Sequence, residues 1–82
     1  MTPRQVTEPF AVVWDERARE DWYRLSFDEA EAVAVAVHRF AHGEIAGPVV
    51  YGEGEYRLFV GELVVIMLID ADTVYIDRVR HA

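Results

Sequence analysis

Leu63-Val64-Val65-Ile66-Met67-Leu68-Ile69 is the longest unbroken apolar run in the chain. Successive side chains of a strand point to opposite faces, so a run with no polar alternation predicts a strand covered on both sides, at the centre of a sheet. It falls far short of the roughly 20 apolar residues that cross a bilayer as a helix, so no membrane span is expected. The whole chain has 82 residues, which sets the expectation of one globular domain over residues 1–82. A domain of that size buries only about 60–65% of its surface on folding, so an oligomer or a partner would help to stabilise it. There is no cysteine, which excludes disulfide staples and thiolate metal sites and is consistent with a cytoplasmic setting. The opening Met1-Thr2-Pro3-Arg4-Gln5 carries no apolar signal segment, and no export is expected. All eight basic residues are arginine against fifteen acidic ones, giving a net charge of −7. A phosphate backbone repels such a chain, which disfavours nucleic acid as a partner.

The rest of the chain arranges itself around that strand. Residues 1–9 hold Pro3 and Pro9 and read as a loose leader. Phe10-Ala11-Val12-Val13-Trp14 reads as a buried strand. Asp15 suits a helix N-cap, and Ala18, Trp22 and Leu25 would line one face of the helix that follows, with Glu20–Arg24 and Arg17–Asp21 pairing on the other. Ser26-Phe27-Asp28-Glu29 has the capping-box spacing and opens a second helix to about His42, stopped by Gly43. The spacing of Ala30, Val33, Val37 and Phe40 supports helix, although the alternating Ala-Val run could pass for a strand. Residues 43–54, with four glycines and a proline, read as the longest loop. Glu55–Val60, Leu63–Ile69 and Thr73–Val79 are then three strands joined at Gly61-Glu62 and Asp70-Ala71-Asp72. The expected fold is α+β, in the order β-α-α-β-β-β, with a small antiparallel sheet and a helical hairpin packed on one face.

That element order, the string Tyr56-Arg57-Leu58-Phe59-Val60-Gly61-Glu62, and the string Ile69-Asp70-Ala71-Asp72-Thr73-Val74-Tyr75-Ile76-Asp77-Arg78-Val79 together resemble the RelE/ParE superfamily of bacterial toxins. The likeness runs from Phe10 to the end. It implies the same fold and a cognate antitoxin wrapped around the outside. Ribosome-dependent branches of the family cut mRNA with a cationic cluster, because a developing phosphoryl oxyanion needs charged or preorganised donors; ParE-type members poison DNA gyrase instead. Carried over position by position, the cluster keeps Arg57 on the first hairpin strand. Phe59 and Val64 stand where further basic residues occur. His81 matches a terminal histidine of some branches, Ala82 follows it, and the sequence ends where some relatives continue. Glu44 lies in a loop that is lysine-rich in many members. The resemblance therefore implies Arg57, His81 and Glu44 as the candidate catalytic residues, and at most a weak ribosome-dependent endoribonuclease.

Hairpin geometry gives an independent reading. A two-residue turn at Gly61-Glu62 sets Phe59 opposite Val64 and Arg57 opposite Ile66. A two-residue turn at Ala71-Asp72 sets Leu68 opposite Tyr75 and, in a regular ladder, Val64 opposite Val79. Alternation then gathers Arg57, Phe59, Val64, Ile66, Leu68, Tyr75, Asp77, Val79 and His81 on one face, and Tyr56, Leu58, Val65, Met67, Ile69, Val74 and Ile76 on the other. The second set suits the core under the helices. The first leaves Phe59, Val64, Ile66, Leu68, Tyr75 and Val79 as a candidate partner-binding surface, since large exposed apolar patches mark interaction sites. One extra residue near the second turn would swap the faces of the last strand, which makes His81 the residue most sensitive to register.

Other features have plain explanations. His38 and His42 stand at i, i+4 without a third ligand, so no metal is expected. Trp14 and Trp22 suit the core, and Gly52-Glu53-Gly54 lacks the lysine and helix of a phosphate cradle. No cofactor is expected. Two functions remain open from the sequence. One is the toxin component of a type II toxin–antitoxin system, neutralised by its antitoxin, with ribosome and mRNA disfavoured by charge. The other is a non-catalytic interaction module of the same fold that self-associates as a homodimer or binds another protein through its apolar sheet face.

Overall fold

The computed structural model describes residues 10–44 and 49–82; the expected leader, residues 1–9, lies outside them. Strand β1 (Ala11–Trp14) leads into helix α1 (Glu16–Tyr23) and helix α2 (Phe27–Ala41), followed by β2 (Val49–Gly52), β3 (Glu55–Val60), β4 (Leu63–Asp70) and β5 (Thr73–His81). The five strands form one sheet in the order β1-β5-β4-β3-β2. The apolar run is therefore the central strand, as its lack of alternation requires. The fold is α+β, with both helices on one face of the sheet. The sheet is mixed, because β1 runs parallel to β5 while every other pair is antiparallel.

Local chemistry sets the helix ends. Asp15 caps α1 by accepting the Arg17 N–H at 3.0 Å. Ser26 and Glu29 complete the capping box of α2, and Gly43 follows the helix at φ +82°, where a Cβ would be strained. Ala18, Val33, Ala36 and Val37 pack with Leu58, Leu63, Val65, Met67, Val74, Ile76 and Val79 as the core. The Trp22 indole N–H donates to the Ala30 carbonyl at 2.9 Å and ties the two helices together.

Three expectations change. Part of the long loop is strand: Val49–Gly52 pairs with β3 through a two-residue turn, Glu53-Gly54, with φ +55° and +82°. Two positive φ values make the type I′ turn that strand twist favours, and glycine supplies one of them at no steric cost. The pairs Glu20–Arg24 and Arg17–Asp21 do not form among the described contacts; Arg17 meets Asp15 and Asp77, and Asp21 takes Arg78 instead.

The third change decides the faces of β5. The turn at Ala71-Asp72 has two residues and Leu68 does face Tyr75, but the ladder shifts between Ile66 and Met67. Met67 pairs with Ile76 and Ile66 with Arg78, so Asp77 is the extra residue of a β-bulge. Val64 then faces Arg80 rather than Val79, Val79 faces Val65, and His81 faces Leu63. Val79 is 4% exposed and belongs to the core, which removes it from the candidate partner surface. His81 goes with it to the helix side, away from Arg57. The cause is the spacing of apolar residues, with Val74, Ile76 and Val79 separated by two and then three positions. A regular ladder would have turned Arg78 and Arg80 into the core, and burying unpaired charge is far costlier than one bulge.

Candidate outer-face site

The sheet face turned away from the helices is built in rows across the strands. Val50 of β2, Arg57 of β3, Ile66 of β4 and Arg78 of β5 form one row, and Phe59, Val64 and Arg80 form the next. On the other side of the first row, Leu68, Tyr75 and Val13 of β1 form a third, and Asp70, Thr73 and Ala11 a fourth. Arg57, Phe59, Val64, Ile66, Leu68 and Tyr75 thus share the face expected for them. Arg78 and Arg80 join them, and sequence reasoning had missed both. The apolar spacing across the bulge was the signal: once Val79 is placed inward, its neighbours must point outward.

The three arginines differ in how firmly they are held. Arg57 reaches Glu55, its neighbour on the same face, at 2.9 Å. Arg78 donates from Nε and Nη2 to the Asp21 carboxylate at 2.8 and 3.2 Å. That bidentate bond, with a backbone N–H from Val79, holds the Asp21 carboxyl below the ordinary carboxylate range and outweighs the opposing effect of burial. The pair raises Arg78 in turn. Arg80 is exposed and has no ion-pair partner among the described residues. From strand spacing and rise, the Cα atoms of Arg57 and Arg80 stand roughly 12 Å apart, near enough for their side chains to meet one extended anionic ligand.

The other two residues implied as catalytic are elsewhere. His81 Nε2 lies 3.5 Å from Glu29 at the start of α2. Glu29 itself is held below the ordinary glutamate range, chiefly by the backbone N–H of Ser26. Glu44 follows α2 and meets Arg39 Nε at 3.1 Å in solvent. Neither can transfer a proton to a ligand lying over Arg57 and Arg80, because the sheet stands between His81 and that face and Glu44 is tied up at a helix end. The face can therefore hold an anion electrostatically and offers it no acid or base among these residues. His38 and His42 stack with ring centroids 4.1 Å apart, and among the described residues no three ligating side chains converge on a metal position.

The apolar half of the face is open. Val13, Val50, Leu68 and Tyr75 are 45, 52, 42 and 40% exposed, while Val64, flanked by Phe59 and Arg80, is 8% exposed. Among the described residues, no helix is long and apolar enough to cross a membrane.

No family model and no curated protein sequence matches the chain. Solved structures do. A chain of the toxin–antitoxin complex RelBE2 from Mycobacterium tuberculosis is 27% identical and superimposes with a TM-score of 0.69, over 92% of this chain and 100% of that one. A chain of the RelB–RelE antitoxin–toxin complex from Methanococcus jannaschii is 13% identical, with a TM-score of 0.73 over 84% of this chain and 88% of that one. With its helical hairpin on one side of a bulged five-stranded sheet, the chain has the RelE-like toxin–antitoxin fold.

Proposed function

We propose that the chain is the toxin component of a type II toxin–antitoxin pair, held by an antitoxin, with ribosome-dependent mRNA cleavage weak or lost. One observation carries the reading: Arg57, Arg78 and Arg80 share the outer sheet face, where a phosphate backbone could lie, while His81 and Glu44 sit away from it. Without His81 or Glu44 at the face, and with Glu55 paired to Arg57, charge binding leaves chiefly electrostatic stabilisation, and Arg78 is already committed to Asp21. The toxin role, as against the antitoxin role, rests on the hairpin string Tyr56–Glu62 and on the strand ending Arg78-Val79-Arg80-His81. The deciding experiment is inducible expression, alone and with the reading frame beside its gene, scored for growth arrest. Arrest relieved by the neighbour supports the reading; at a verified protein level, no arrest together with no stable complex with the neighbour's product overturns it.

A second reading, a non-catalytic interaction module, is favoured by the exposed row Val13, Tyr75 and Leu68. It is supported where expression is harmless and the protein still binds a partner through that row.

A further inference from the structure

The outer face is polarised along its strands. Moving along β4, the rows run from Phe59, Val64 and Arg80, through Arg57, Ile66 and Arg78, to Leu68, Tyr75 and Val13, with Glu55 at the β3 end of that row held by Arg57, and end at Asp70, beside the turn residue Asp72. Cationic rows thus lie on one side of a mostly apolar row and the Asp70 and Asp72 carboxylates on the other. A surface with that order is complementary to itself. Let a two-fold axis lie in the interface along the row of Leu68, Tyr75 and Val13. Each apolar residue then meets its own counterpart, Glu55 meets its own with the Arg57 of its chain paired to it, and Asp70 of one copy falls over Ile66 of the other, between Arg57 and Arg78. Asp72 approaches the partner's Arg78 and Arg80 in the same way. The strands of the two sheets run antiparallel and aligned, an ordinary arrangement for sheets packed face to face.

We propose that a second copy of this chain packs on the outer face through this two-fold, giving helices, sheet, sheet and helices in four layers. The complementarity of charge singles out the occupant, because a partner that was basic or acidic throughout would meet like charge at one end of the face. From strand spacing and rise, the face measures roughly 20 by 20 Å, at the small end for a specific interface, so the dimer is reversible with a dissociation constant on the order of micromolar to tens of micromolar. The dimer covers Arg57 and Arg80, so self-association and binding of an extended anion exclude one another. The inference does not depend on toxicity: it fails or stands on association alone.

Charge exchange tests it. Asp70→Arg and Arg57→Asp each place like charges across both symmetry-related contacts of a homodimer, whereas a mixed dimer of the two variants restores opposite charges at both. In sedimentation velocity on the full chain, the wild type shifts from monomer to dimer between about 1 and 200 µM. Each single variant weakens association at least about tenfold, and their equimolar mixture recovers it to within a few-fold of wild type. Leu68→Lys, at a site already 42% exposed, abolishes the dimer while leaving circular dichroism and thermal melting unchanged. A wild type that stays monomeric at about 200 µM, single variants that dimerise as well as wild type, or a mixture no better than its components, overturns the proposal.

Discussion

Asp21 of α1 accepts the backbone N–H of Val79 at 3.0 Å, from 58 residues away in sequence. Strand β1 pairs with β5 only from Thr73 to Ile76, so beyond the bulge this edge of β5 would otherwise present unpaired backbone groups. Helix α1 runs along that edge, and one carboxylate does there what a strand neighbour would do, while anchoring Arg78. The edge is thereby shielded from pairing with another chain.

Removing Asp21 leaves the Val79 N–H and the Arg78 guanidinium without a partner. Asp21→Ala is expected to destabilise the fold by about 2–3 kcal/mol, short of the cost for a wholly buried pair because Arg78 is partly solvated. The carboxyl is held below its ordinary value, first by the Arg78 hydrogen bond, so its contribution is complete above the unfolded carboxylate range and fades as pH falls through the lowered value. Asp21→Asn should flatten that acid limb in urea titrations run from neutral pH downward. An unchanged limb would mean that another carboxylate controls it; Glu29, also lowered, is the first to examine.

The assignment of faces makes a second prediction. Leu58 is fully buried under the helices, and Leu58→Ala is expected to cost about 2–5 kcal/mol as a core cavity. Phe59, its neighbour on the outer face, is half-buried, and Phe59→Ala should cost less while weakening association. Val79→Ala should group with Leu58, near 2 kcal/mol, roughly the value of the apolar groups it removes. Thermal melts that rank Phe59→Ala as worse than Leu58→Ala would reverse the faces.

The strand order along the chain, both helices, both caps and the core of the hairpin were legible because each is written locally: an apolar run, a period, a serine three residues before a glutamate. The turn at Gly61-Glu62 gave the pairing of β3 with β4 in the register found. What escaped was written at longer range. Strand β2 hid among glycines, although Val49-Val50-Tyr51 before a turn ending in Gly54 was a hairpin signal. The bulge at Asp77 was foreseeable from the inward spacing of Val74, Ile76 and Val79, and missing it misplaced Val79 and His81 and overlooked Arg78 and Arg80. The pairing of Asp21 with Arg78 lay beyond reach, since nothing in the helix itself favours it over Arg17.

Ala71 offers a test of strain. It opens the tight turn between β4 and β5 at φ +55°, without the freedom of glycine. The left-handed region costs an L residue with a Cβ roughly 1 kcal/mol, so Ala71→Gly is expected to recover a similar amount, less the entropy that glycine adds to the unfolded chain. A rise of a few degrees in Tm is the expected result; a fall would mean that the turn imposes no such strain.

Cleavage is the sharpest test of the chemistry. Basic relatives are implied to stabilise the scissile phosphate with a cationic cluster, and loss of a single stabilising donor lowers an enzyme's rate by roughly 10²–10³. Here Phe59 and Val64 are apolar, Arg78 is bound to Asp21, and His81 pairs with Glu29 on the far side of the sheet. Ribosome-bound mRNA should therefore be cut far more slowly than by those relatives. Whatever binding remains should fall when Arg57→Ala and Arg80→Ala are combined, and should weaken with added salt because it is charge-driven. His81→Ala should leave any residual rate untouched. Robust cutting that needs His81 would require β5 to turn that side chain to the outer face, and would overturn both the placement of the bulge and the proposed loss of activity.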